Sequence, residues 1–296
     1  MDGAVADGMS MAAAGPPRLR LFQSLWGFSG TLDQAITRAK GLGFDGLEAN
    51  LRHPALCSDS PHVVRQQLHR DGLELIVELV TGGDYVPDLS RSWQQHVAEL
   101  DAQLCQAEAL QPTRISVITG SDSWDDAMQD EFLNAVLARI DSCGIAVSLE
   151  THRSRSLYNP WRLAQLVQQH PGLRLTADIS HWCAVSERLM TPELTPIAAI
   201  ADRVDHIHAR VGHAQGPSVS HPFAPEWADA LEAHRRCWQL FVQRQRARGQ
   251  GVTTITPEFG PDGYLPSLPY TAMPVADLDA INTAIAQWLR QGALEC

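Results

Sequence analysis

Four side chains that can bind a metal ion lie at or near the ends of predicted strands. Glu150 ends the segment IAVSLE, and Asp178 ends LRLTAD. His208 lies near the end of VDHIHA, and Glu258 near the end of TTITPEF. These segments are short and rich in β-branched or alternating apolar residues, as strands are. Three carboxylates and one imidazole suit one hard divalent cation, Mn²⁺, Mg²⁺ or Co²⁺, with Zn²⁺ as a further option.

The rest of the chain predicts a scaffold that would bring these four residues together. Beyond residue 17, eight predicted strands alternate with predicted helices without a break. This alternation is typical of parallel strands, and its length fits a single (β/α)8 TIM barrel of the α/β class, which usually has about 250 residues. A doubly wound open sheet is the alternative. In a barrel the active site lies at the C-terminal ends of the strands, where the four residues fall.

Composition sets the limits of this interpretation. We predict that residues 1–17 form a disordered lead and that residues 18–296 form the barrel. The lead carries acidic residues and a short apolar run, unlike a signal peptide. The six cysteines show no C-x-x-C spacing, which favours reduced thiols and a cytoplasmic protein. The net charge of -11 argues against binding nucleic acid, and no apolar run is long enough to cross a membrane.

Missing motifs exclude several enzyme classes. Lys40 is the only lysine, and it lies in a predicted helix, so Schiff-base chemistry is not expected. The sequence has no G-x-G-x-x-G, P-loop, G-x-S-x-G or H-E-x-x-H motif. Dinucleotide-binding, kinase-like, serine-hydrolase and zinc-protease functions therefore lose their usual support.

The order of the metal-binding residue types resembles a known superfamily. Glu150, Asp178-x-x-His181, His206-x-His208 and Glu258 are similar to the pattern of xylose-isomerase-like sugar-phosphate isomerases and epimerases. The segment GFDGLE, residues 43–48, resembles the second strand of that superfamily. The similarity covers nearly the whole chain beyond residue 17, and the nearest analogy is to ketose 3-epimerases.

This resemblance implies roles for individual residues. The implied metal ligands are Glu150, Asp178, His208 and Glu258. Glu150 and Glu258 would also exchange protons with the substrate, and His181 would contact it. The substrate would be a sugar, sugar acid or sugar phosphate that reacts through an enediolate stabilised by the metal. Return of the proton to the same carbon from the other face gives an epimer, whereas return to the neighbouring carbon gives an aldose–ketose isomer.

Other polar and aromatic residues are candidates for substrate contacts. Arg153 and Arg210 follow two of the predicted ligands and suit a carboxylate, phosphate or hydroxyl group. Trp26 offers an apolar face for a sugar. Ion pairing of the arginines and rim packing of the tryptophan are the alternatives. We expect His206 to support the site rather than bind metal, and the loop at residues 212–222 is a candidate lid.

Other functions fit the same predicted barrel. A metal-dependent dehydratase or lyase acting on a cyclic polyol or keto acid would use related enolate chemistry. An abasic-site endonuclease would need more metal ligands and a basic surface, which the acidic chain does not provide. A non-catalytic barrel is the remaining alternative. The expected partner is a carbohydrate-like small molecule, and the family analogy suggests a homodimer or homotetramer.

Overall fold

Eight parallel strands close into one barrel in the computed structural model, which describes residues 18–295. Each strand pairs with its neighbours in sequence, and the last pairs with the first. The predicted (β/α)8 barrel is confirmed, and the open-sheet alternative is wrong. The predicted disordered lead, residues 1–17, lies outside the described residues. The strands are β1 (Arg18–Ser24), β2 (Gly46–Asn50), β3 (Glu74–Val80), β4 (Arg114–Ile118), β5 (Val147–Glu150), β6 (Leu175–Ala177), β7 (Val204–His208) and β8 (Val252–Thr256).

Helices follow the strands, and most of the longer helices begin at residues whose side chains cap them. Thr31 and Gln34 form a reciprocal capping box at the first helix, and Ser92 and Gln95 form another at the fourth. Within the described chain, the helices are α1 (Leu32–Leu42), α2 (Pro54–Cys57), α3 (Pro61–Asp71), α4 (Trp93–Glu108), α5 (Asp126–Ile140), α6 (Pro160–Gln169), α7 (Ser180–Val185), α8 (Thr195–Ile200), α9 (Ala228–Ala247) and α10 (Leu278–Arg290). The short helices α2 and α7 were not predicted, because neither is long enough to show a helical period.

The alternation along the strands separates a polar barrel interior from an apolar helix-facing side. Ser148 and Thr176 bond through their hydroxyl groups at 2.7 Å, and Ser116 donates to Thr176 at 2.9 Å. Leu149, between Ser148 and the strand end, belongs instead to the buried apolar core. Glu150, two residues after Ser148, therefore shares the inward face, as predicted.

The opposite end of the barrel is held by ion pairs. Asp205, near the start of β7, lies 2.9 Å from Arg174 Nε and 3.0 Å from Arg248 Nη2. These contacts place Asp205 away from the mouth, whereas His206 and His208 point inward on the same strand. Among residues 18–295, no helix combines the length and apolarity needed to cross a bilayer.

Candidate metal and substrate site

The four predicted ligands meet at one side of the barrel mouth. Glu150 and His208 end β5 and β7, Asp178 directly follows β6, and Glu258 lies two residues beyond β8. Their ligand atoms all lie within 4.8 Å of one another, and all four side chains are buried. Strands whose C-terminal ends are neighbours in a closed barrel produce this convergence.

The imidazole of His208 has two different faces. Its Nδ1 atom lies 3.1 Å from Glu258 Oε2 and 3.7 Å from Glu150 Oε2. Its Nε2 atom lies 3.0 Å from Glu48 Oε1, so that an Nε2–H group donates to this carboxylate. Metal-binding histidines commonly donate their second N–H to a carboxylate in this way, which leaves the other nitrogen free for a cation.

Glu48, on β2, is a functional candidate that sequence reasoning missed. Its carboxylate accepts from His206 Nε2 at 3.1 Å and from the Thr256 hydroxyl, as well as from His208. Burial raises the pKa of Glu48, but the two histidines lower it more, so the net pKa lies well below its usual value. An ionised Glu48 thus orients both imidazoles. Its inward place on β2 and its acidic type were the available signals.

His206 supports this arrangement, as expected from the sequence. Its Nδ1 atom lies 2.8 Å from Thr254 Oγ1, on the side of the ring opposite Glu48. Both ring nitrogens are therefore engaged by other side chains. The distances among Glu48, His206 and His208 would also allow a metal ion. Because these atoms hydrogen-bond one another, that cluster has fewer free ligand positions than the one at the mouth.

The cluster at the mouth has buried ligand atoms without hydrogen bonds. Glu150 Oε2 and His208 Nδ1 are both inaccessible to solvent and, although they lie close to each other and to Glu258, form no hydrogen bond of good geometry among the described residues. Burial is the main cause that raises the pKa of Glu150 to about 7, with Glu258 and Asp178 adding to it and His208 opposing it. Burial alone would lower the pKa of His208, but the carboxylates Glu258, Glu48 and Glu150 raise it well above its usual value. A divalent cation fits this set, since it would satisfy both orphaned atoms and offset the carboxylate repulsion.

Arg210 lines the cavity, but protein groups already hold its guanidinium. Nη2 donates to Asp178 Oδ2 and, at 2.8 Å, to His181 Nε2. Nε donates to Ser180 Oγ at 3.0 Å, and Nη1 lies 3.5 Å from Glu258 Oε2. The residue is 1% exposed. Arg210 therefore joins Asp178 and Glu258 across the site and compensates part of their charge.

Two neutral histidines form the neighbouring wall. His181 is fully buried, and burial holds its pKa well below the usual value. Its Nε2 accepts from Arg210, while its Nδ1 is buried with no hydrogen-bond partner within the described chain. The ring centres of His152 and His181 are 4.0 Å apart. Burial lowers the pKa of His152 to about 3. His181, which was predicted to contact substrate, therefore has one unused polar atom in a wall of the cavity.

The cavity has a volume of about 410 Å³, in the range of small-ligand sites. Trp26 and Arg153 both line it. Trp26 donates to Asp262 Oδ2 at 2.9 Å and meets the Tyr264 ring edge-on at 4.8 Å. The Arg153 guanidinium lies 4.8 Å from the Tyr264 ring centre and pairs with no carboxylate among residues 18–295. Both residues are thus where a substrate would meet them.

The loop after β8 lines the cavity, whereas the candidate lid does not. Asp262 and Tyr264 line the cavity, but no residue of 212–222 does. That segment is tied down by backbone bonds, including Val219 N to Val211 O at 2.9 Å. Gly212 N also donates to His234 Nε2 at 3.2 Å. The loop after β8 has no hydrophobic period, so the sequence carried no signal for its role.

Comparisons with known proteins agree with this architecture. The sequence matches no protein-family model and no curated protein. Its structure is similar to that of the D-allulose 3-epimerase from Methylomonas sp., with a TM-score of 0.61, 14% identity and coverage of 93% of this chain and 98% of that one. It is also similar to the probable 3-DHS dehydratase AsbF of Bacillus anthracis, with a TM-score of 0.59, 15% identity and coverage of 92% and 98%. The IOLI protein with a bound zinc atom gives a TM-score of 0.60, 12% identity and coverage of 92% and 97%.

The chain has the xylose-isomerase-like TIM-barrel fold. The resemblance derived from Glu150, Asp178, His208 and Glu258 is confirmed at this level. This fold is shared by proteins named as an epimerase and as a dehydratase, so the similarity does not by itself select a reaction. The residues in the cavity must therefore indicate which reaction is catalysed.

Proposed function

We propose that this protein is a divalent-metal-dependent isomerase or epimerase that acts on a sugar, sugar acid or sugar phosphate. One observation carries the proposal. The ligand atoms of Glu150, Asp178, His208 and Glu258 lie within 4.8 Å of one another, and two of the atoms are buried without hydrogen bonds. The cavity beside them is large enough for a small polyol.

The four residues would hold one cation, and the oxygen-rich set favours Mn²⁺, Mg²⁺ or Co²⁺, with Zn²⁺ also accommodated. When bound, the cation supplies Lewis acidity that polarises a substrate carbonyl group. His208 would use Nδ1, since Glu48 engages Nε2. Asp178 would be shared with Arg210, whose Nη2 already donates to Oδ2. A carboxylate has enough lone pairs for both partners.

Glu150 and Glu258 are the proposed acid and base. They approach His208 Nδ1 from β5 and from the segment after β8, at 3.7 and 3.1 Å. A raised pKa of about 7 suits Glu150 to take up and release a proton near neutral pH. One carboxylate would remove the proton next to the substrate carbonyl, and the other would return it. Because the two come from strands that are not adjacent, they would reach a substrate from different sides.

The proposed substrate contacts are His181, Arg210, Arg153 and Trp26. His181 Nδ1 is an unused buried nitrogen, and Trp26 provides an aromatic face. Arg153, unlike Arg210, forms no ion pair with a carboxylate among the described residues. It would bind an anionic or hydroxyl group at the rim, whereas Arg210 would position Asp178 and Glu258 beside the substrate in the cavity that it lines.

The test is deuterium uptake from D₂O into candidate ketoses, keto acids and their phosphates, followed by proton NMR. Mg²⁺-loaded and metal-stripped proteins are compared. We expect metal-dependent exchange of the proton next to the carbonyl, and the product's stereochemistry identifies the reaction. Glu150→Gln and Glu258→Gln should each abolish turnover, whereas Glu131→Gln, an exposed change on α5, should not. Turnover that survives both active-site changes refutes the proposal, and an unsaturated product identifies a dehydratase.

A further inference from the structure

A second group of polar side chains lines the cavity outside the proposed metal set. Glu78 on β3 accepts from Asn50 Nδ2 at 2.9 Å and from the Tyr85 hydroxyl at 3.0 Å. All three residues line the cavity. In a closed barrel of eight strands, β3 is diametrically opposite β7, which carries His208. Glu78, Asn50 and Tyr85 therefore form a polar wall opposite the proposed metal ligands.

The two hydrogen bonds occupy only one carboxyl oxygen of Glu78. Both end on Oε1. Oε2 accepts no hydrogen bond from any side chain or backbone group in the described chain, although the residue is only 7% exposed. Oε2 is open to the cavity, so a ligand that displaces water from this oxygen must supply a hydrogen bond in its place.

The protonation state of Glu78 suits an alcohol as this ligand. Burial, the largest cause, raises its pKa to about 8, and the charges of Glu150 and Glu258 add to the shift. A cation held by Glu150 and Glu258 would cancel the contribution of their charges to the raised pKa of Glu78. The contribution of burial would remain. The proton then belongs on Oε2, because Oε1 already accepts two hydrogen bonds. A protonated carboxyl group can both donate to and accept from a hydroxyl group.

A buried arginine fixes the position of Tyr85. Arg155 is fully buried and donates to the backbone carbonyl groups of Tyr85 at 3.0 Å, Thr81 at 2.7 Å and Gly120 at 3.2 Å, and also to that of Asp84. It thereby ties the loop after β3 to the end of β4. The wall is consequently built before any ligand arrives, as a selective subsite must be.

We propose that Glu78, Asn50 and Tyr85 form a hydroxyl-binding subsite that favours polyhydroxylated substrates long enough to reach from the metal ligands to β3. This inference rests on the proposed function, because the other end of the substrate is anchored at the metal site. A three-carbon ketone would occupy the metal end alone. A five- or six-carbon chain or ring would place a distal hydroxyl group against Glu78.

The experiment compares short and long probes on the Mg²⁺-loaded protein. Dissociation constants of dihydroxyacetone, D-fructose, D-allulose and a ketohexuronic acid are measured by ligand-observed NMR on the wild type, Glu78→Leu and Glu78→Gln. We expect Glu78→Leu to weaken the long probes about tenfold and dihydroxyacetone not at all, because one buried hydrogen-bonded partner is lost. Glu78→Gln should weaken the long probes by only about threefold, because its amide keeps the bonds to Asn50 and Tyr85 but presents only a donor to the ligand.

The possible outcomes separate this inference from the proposed function. Mg²⁺ affinity and thermal unfolding of each variant establish that the metal site and fold are intact, and Glu78→Gln provides the comparison where Glu78→Leu does not fold. Binding of long probes that is equal in the wild type and the variants overturns the subsite but leaves the proposed function standing. Failure of every probe to bind the wild type overturns both.

Discussion

Glu48 Oε1 lies 3.0 Å from His208 Nε2, on the side of the imidazole opposite the nitrogen that faces Glu150 and Glu258. The two residues are 160 positions apart in the sequence and come from β2 and β7. The contact fixes which nitrogen of His208 is free for a cation. It also makes the barrel interior part of the candidate site, because Glu48 orients the imidazole whose Nδ1 atom is the proposed metal ligand.

Replacing Glu48 should therefore weaken metal binding without touching a ligand. For Glu48→Gln we expect Mn²⁺ affinity to fall about 10- to 100-fold, because the amide no longer supplies a charged acceptor to His208 Nε2–H. Isothermal titration calorimetry measures the change. The matched control is Glu131→Gln, which makes the same chemical change on an exposed helix face. An affinity equal to that of the wild type would mean that Glu48 has no part in orienting His208.

Arg210 should stabilise the fold most when no metal is bound. Arg210→Met leaves the fully buried Asp178 without its cationic partner, and the loss of such a partner costs about 3 kcal/mol or more. Added Mg²⁺ would take over part of that compensation. We expect the loss in the free energy of unfolding, measured with urea, to be smaller with saturating Mg²⁺ than with a chelator. An identical loss under both conditions contradicts the placement of the cation beside Asp178.

The fold and the convergence of the four proposed ligands could be predicted because their signals are local. Each ligand lies at the end of a short apolar segment, and a closed parallel barrel brings such ends together. The same local signals placed Ser148 and Glu150 on one face of β5. Even the supporting role of His206 followed from its position two residues before His208.

Contacts that depend on distant strands could not be predicted in this way. Glu48 and Glu78 point inward, but only the closed barrel shows that one meets His208 and the other faces it across the cavity. The engagement of Arg210 by Ser180 and His181 depends on α7, which is too short for a periodic pattern. Tyr264 lies in a loop whose sequence has no hydrophobic periodicity.

Metal affinity should rise with pH through neutrality. The pKa of Glu150 is raised to about 7 and that of His208 lies well above its usual value, so both carry protons at low pH that a cation must displace. We expect affinity to fall by at least about tenfold per pH unit as the pH decreases below 7, with about one or more protons released for each cation bound. Calorimetry in buffers of different ionisation enthalpy counts these protons. Affinity that does not change between pH 6 and 8 would show that these groups are not ligands.

The raised pKa of Glu78 predicts how stability depends on pH. Its folded-state pKa is about 8 against an ordinary value of 4.5, so between these values the folded protein holds a proton that the unfolded chain has released. The contribution of Glu78 to the free energy of unfolding is thus fully present below about pH 4.5, and it is lost as the pH rises towards 8. In Glu78→Gln this dependence is absent.

The measurement is the free energy of unfolding of the metal-free proteins in urea at pH 5.5 and pH 8. We expect wild type to lose a few kcal/mol relative to Glu78→Gln across this interval, since one pKa unit corresponds to about 1.4 kcal/mol. The comparison cancels the opposite contributions of buried neutral histidines such as His96 and His234, whose pKa values burial lowers to about 4. Their contributions are lost as the pH falls below 6.5, the ordinary value, and they are common to both proteins. Parallel pH profiles for the two proteins would mean that Glu78 is ionised in the folded state, and its Oε2 would then only accept hydrogen bonds from a ligand.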